Sequence, residues 1–164
     1  MSIQTDIQSQ LGQLVNNPPS AWPAEIAVEG RAGRVSCAVQ AVEQLACSLD
    51  EIQYQAQEPF GQTPAGLTQM GEALANRVSY LLEPIGNYEL DEDGMTLQMR
   101  SIPPSGDREN LSFYELLLRC SGEIRIYRYQ QSAGSVREKV PMEFTRQVLG
   151  RLGNDLDDLV ADRD

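Results

Sequence analysis

The sequence predicts an α+β fold: a largely antiparallel sheet of about seven strands with three helices, in a single domain over residues 1–164. Three observations predict it. Short segments of alternating apolar and polar residues recur between turns rich in Gly and Pro, as strands joined by hairpins do. Three other segments repeat their apolar residues at helical spacing. With 41% hydrophobic and 23% charged residues over 164 positions, the chain is long enough to enclose a core.

In chain order, Ile3, Ile7, Leu11, Leu14 and Val15 form one face of a first helix over 2–16, stopped by Asn17-Pro18-Pro19. The segment 18–23 holds the lone Trp, Trp22, expected to plug the edge of a core. Ile26 and Val28 mark a strand, and Val35, Cys37 and Val39 a second beyond the Gly30 to Gly33 turn. A third follows over 45–55. Its phase changes between Leu49 and Ile52, which predicts a bulge near Asp50-Glu51. Thr63-Pro64 suits a helix start, and the stripe Leu67, Met70, Leu74, Val78, Leu81 and Leu82 carries that helix to Pro84.

Tyr88 and Leu90, then Leu97 and Met99, make a hairpin around Asp91-Glu92-Asp93-Gly94, with Gly94 expected in the left-handed position. The acids lack the spacing of a calcium loop. Residues 102–110 and 131–139 read as loose loops. Val148, Leu149, Leu152, Leu156, Leu159 and Val160 mark a last helix from about Pro141 or Met142. Gly150 and Gly153 inside it mean that packing must hold it. Its acidic end, from Asp155 on, opposes the helix dipole and is expected to fray.

Residues 111–130 form the hairpin around which the rest is arranged. A two-residue loop at Ser121-Gly122 would set Leu117 opposite Ile126, Tyr114 opposite Tyr129, and Glu115 opposite Arg128 as an ion pair. One face then carries Tyr114, Leu116, Tyr127 and Tyr129, the interface candidates. The other carries Phe113, Leu117, Ile124 and Ile126. Both faces are apolar, so each must be covered, by a helix of the same chain or by a partner.

Composition excludes several functions. The net charge of −11 disfavours nucleic acid and anionic lipid. There is no histidine, which removes Ser-His and Cys-His nucleophiles and His-based metal sites, and no phosphate-binding glycine motif occurs. No catalytic residue, metal or cofactor is expected. Carboxylates such as Glu83 and Glu115 leave a histidine-free hydrolase as the least favoured reading. Cys37, Cys47 and Cys120 are expected as reduced thiols. No membrane span or leader is read, so cytoplasmic residence is expected.

The segment Ser79-Tyr80-Leu81-Leu82-Glu83-Pro84, with Arg100-Ser101-Ile102-Pro103-Pro104, resembles a group of uncharacterised bacterial proteins, which implies no function. The element order (helix, three strands, helix, strands, helix) in an acidic chain is similar to that of type III secretion chaperones. That resemblance implies a homodimer holding extended segments of other proteins. The function expected is a non-enzymatic protein-binding module, in its finer form a chaperone-like homodimer. The alternative is a small-ligand carrier with a pocket between sheet and helices lined by Tyr80, Met70, Met99 and Arg100.

Overall fold

In a computed structural model, which describes residues 2–61, 63–81 and 83–163, the chain is α+β with three helices and antiparallel strand pairing throughout. The elements are α1 (Ile3–Asn16), β1 (Ala24–Glu29), β2 (Gly33–Val42), β3 (Ala46–Ala56), α2 (Pro64–Arg77), β4 (Ile85–Asp91) and β5 (Thr96–Ser101). Then follow β6 (Ser105–Gly106), β7 (Asn110–Arg119), β8 (Glu123–Ser132), β9 (Glu138–Val140), β10 (Met142–Thr145) and α3 (Arg146–Ala161). The seven expected strands are all present. The short β6, β9 and β10 are added inside segments read from sequence as loops or helix start. Two compact units result, Met1–Gln57 with Pro141–Asp164, and Glu58–Val140. Among the described residues no helix is long and apolar enough to cross a membrane.

In the first unit the strand order is β1-β2-β3, with β10 also on β3. Ile26 pairs with Cys37 and Cys37 with Ile52, Val28 pairs with Val35 and Val35 with Tyr54, so one face is continuously apolar. Helices α1 and α3 bury Ile3, Ile7, Leu11, Leu149, Leu152 and Leu156, with α3 packed on β2, β3 and β10. The helices approach closely because α3 has no side chain at Gly153, where a Cβ would lie 2.5 Å from Ile7 Cδ1. The glycine that weakens α3 as a helix is the one that lets it pack. Arg146 locks the pair, donating to Gln44 O at 3.0 Å and to Gln8 O at 3.3 Å.

The expected bulge is present and has a second half. The β2–β3 register steps past Asp50 on one strand and Gln40 on the other, and these two unpaired residues bond to each other at 2.5 Å. Strand β1 pairs only with β2, and its outer edge is closed at Ala27. There the Gln10 carboxamide donates to Ala27 O at 2.7 Å and accepts from Ala27 N at 3.2 Å, as a neighbouring strand would.

Four expectations about ends and turns are corrected. The last helix begins at Arg146, with Thr145 as its N-cap; Met142 and Phe144 alternate inward as strand β10. Its acidic end is not frayed but anchored. Asp157 is buried and accepts from Arg31 N at 2.8 Å, Ala32 N at 3.0 Å and Tyr54 Oη at 2.8 Å. Asp158 pairs with Arg31 at 2.7 Å. Trp22 is 37% exposed and lies at the surface rather than among the buried core residues. In the β4–β5 turn the left-handed residue is Met95 (φ 47), not Gly94. Gly94 instead gives its N–H to Asp91 Oδ1 at 3.1 Å, so the aspartate closes the turn.

In the second unit the order is β4-β5-β7-β8-β9, with β6 extending the β5 side of β7. Thr63 caps α2 with Pro64 at its first position, as expected, but the helix ends at Arg77 and a 3-10 turn, Ser79–Leu81, follows. Leu82 of the predicted stripe lies outside the described residues. Gly71 of α2 sits over Leu97 and Met99. That face continues through Leu118 and Leu116 to Ile124 and Ile126, all buried.

Candidate functional site

The hairpin register differs by one residue from the expected one. Cys120, Ser121 and Gly122 form a three-residue turn, Gly122 takes φ 100, and its N–H bonds to Arg119 O at 3.0 Å. A loop of this length needs a left-handed residue at its end. Leu117 therefore pairs with Arg125, Leu116 with Ile126, Glu115 with Tyr127, Tyr114 with Arg128 and Phe113 with Tyr129.

A one-residue slip in a hairpin exchanges the side-chain set that one strand presents beside its neighbour. The four interface candidates consequently do not share a face. Tyr114 and Leu116 lie on the α2 side, both buried. Tyr127 and Tyr129 lie on the other side with Phe113, Glu115 and Leu117. The expected Glu115–Arg128 pair is overturned for the same reason. Arg128 pairs instead with Glu83 at 2.8 Å and lies 4.4 Å from the Tyr114 ring, while Glu115 pairs with Arg137 at 2.6 Å.

The carrier candidates separate too. Met99 and Arg100 are neighbours on β5 and point to opposite faces, Met99 buried under α2 and Arg100 beside Phe113. They cannot line one pocket with Tyr80. Glu83 and Glu115, the carboxylates a hydrolase would use, are held on opposite sides of the sheet, each by its own arginine. Among the described residues no cluster of acidic, Cys or His side chains is placed to hold a metal ion.

What the register brings together is the face of β5, β7, β8 and β9 turned away from α2. Phe113 stacks on Tyr129 with ring centroids 6.0 Å apart, and Tyr127 stands 6.3 Å from Tyr129. Each ring carries a cation. Arg137 lies 4.0 Å over Tyr129, Lys139 3.9 Å over Tyr127 and Arg100 5.7 Å from Phe113. Arg125 donates to the Tyr127 hydroxyl at 3.2 Å. Aliphatic stems and flat charged heads thus wall the aromatic surface.

At the centre sits Glu115, 2% exposed, accepting from Arg137 at 2.6 Å and from the Gln98 carboxamide. The Arg137 guanidinium is raised above its ordinary pKa by its bond to Glu115. The Tyr129 hydroxyl is raised by burial and then by the Glu115 charge, with Arg137 opposing. Residues 131–139 therefore act as a strap, pinned by the β9 pairs and by two cations over two tyrosines. Sequence reading missed Arg137, Lys139 and Asp157. The first two lie in a stretch with no periodic pattern, and their signal was charge placed just beyond an aromatic strand.

No protein-family model, curated protein or solved structure matches the chain.

Proposed function

We propose that the chain is a protein-binding module that acts by contact rather than by chemistry, through the outer face of the second unit's sheet. The observation that carries this reading is the cation-capped aromatic cluster of Phe113, Tyr127 and Tyr129. Aromatic residues and arginine are the side chains that anchor protein interfaces. Leu117 and Tyr129, half-exposed among them, supply the apolar contact.

The test uses the whole chain immobilised beside a Tyr129→Glu variant, with Leu117→Glu as a second. Proteins from native cells retained by the parent chain and lost from both variants support the reading. Identical retained sets would remove it. A homodimer used as type III secretion chaperones are is the finer form, and the element order supports it. Light scattering at high protein concentration tests that form: a dimer keeps it, and a monomer leaves a monomeric module.

A further inference from the structure

The charge on this face points to its occupant. The chain has 13 Lys and Arg against 24 Asp and Glu. The β7–β9 half of the face holds four of the cations, Arg119, Arg125, Arg137 and Lys139, and only two acids, Glu115 and Glu123. That leaves nine basic against 22 acidic residues elsewhere, a net −13 outside and +2 within. Glu115 is buried and already paired with Arg137, and Glu123 is paired with Arg125. What meets solvent is the cations: Arg119 and Lys139 are exposed, and the Arg137 side chain is 38% exposed.

We infer that the partner segment docking here is acidic, an extended stretch of Asp and Glu from another protein; this rests on the outer face being the binding surface. A basic segment would be drawn to almost any other part of the molecule and repelled here. An acidic one has this place to settle, so charge fixes its position as well as its attraction. A nucleic acid has the same sign but the wrong needs. Base recognition on a sheet uses open aromatic faces, whereas Phe113 and Tyr127 are buried, Phe113 against Tyr129 and Tyr127 beneath Lys139.

The experiment titrates the full chain into a fluorescent glutamate dodecamer, with a lysine dodecamer and a single-stranded oligonucleotide of equal length as comparisons. Variants are Arg119→Glu with Lys139→Glu, both at exposed positions, and Arg34→Glu in the first unit as a charge control. The glutamate peptide is expected to bind, to weaken about tenfold or more in the double variant, to weaken with added salt, and to ignore Arg34→Glu. Absence of glutamate binding, equal loss in the Arg34→Glu control, or tighter binding of the oligonucleotide would overturn the inference. If the glutamate peptide fails while Tyr129→Glu still abolishes capture of cellular proteins, the acidic partner falls and the binding face stands. If both fail, both fall.

Discussion

On the first unit's sheet, the side turned from α1 and α3 shows Glu25, Ser36, Ala38, Glu51 and Gln53 around a recess of about 110 Å³. On the second unit's sheet, the side turned from α2 shows Phe113, Leu117, Tyr127 and Tyr129 under arginine and lysine. The buried carboxylates differ in the same way. Asp157 has three neutral donors, two backbone N–H groups of the β1–β2 turn and the Tyr54 hydroxyl. Glu115 relies on Gln98 and on an arginine from the strap.

The largest expected effect tests that difference. Asp157→Ala strands two part-buried backbone N–H groups and the buried Tyr54 hydroxyl and should cost about 3–4 kcal/mol in urea unfolding. Glu115→Ala should cost about half as much, because the freed Arg137 can turn to water. Equal losses would erase the contrast between the units.

Next comes a pH effect of two buried thiols in the first unit. Burial pushes the Cys37 thiol up to about 12, from an ordinary value of 9.0. Cys47 is raised in the same direction by burial, to about 11. Above pH 9 the unfolded chain loses these protons and the folded chain keeps them. Stability is therefore full below pH 9 and falls as pH rises toward 12, by about 1.4 kcal/mol per pH unit for Cys37. Cys37→Ala should flatten that alkaline slope, measured as the urea midpoint between pH 8 and 10, both approximate bounds on the window. An unchanged slope would place the loss elsewhere.

The same contrast explains which parts could be read in the sequence. In the first unit strict alternation names the buried face, so Val35, Cys37 and Val39 announce their partners, and even the bulge near Asp50 shows as a phase change. In the 111–130 hairpin both phases are apolar, so hydrophobicity casts no vote on register. The turn decides it, and Ser121-Gly122 fits a two-residue loop as well as the end of a three-residue one. From that single ambiguity came the wrong partner for Glu115 and the grouping of Tyr114 with Tyr129. Met142 to Thr145 was lost to the helix for a similar reason, since Met142 and Phe144 alternate over too few residues to outweigh the stripe that follows. Gly122→Ala sharpens this point: a left-handed alanine costs about 1–2 kcal/mol. Unfolding should show that loss with the Leu116–Ile126 cross-strand contact retained by NMR, and a shift to Leu117–Ile126 would mean that the register is soft.

The smallest effect concerns the edges. Strand β1 borrows a neighbour from the Gln10 side chain, whereas β4 pairs with β5 alone among the strand pairs and breaks register between Gly86 and Glu89. A bulge and acids such as Glu89 and Asp91 are one way to keep an edge from templating another chain; a carboxamide on the backbone is another. Gln10→Ala should cost about 0.5–1 kcal/mol, since water can reach the two freed Ala27 groups. It should also raise association at high protein concentration, seen by light scattering, because the flat β1 edge has no bulge to fall back on. If the variant stays as monodisperse as the parent chain, Gln10 is holding α1 in place rather than guarding the sheet. The two units then protect their edges by the same means, charge alone.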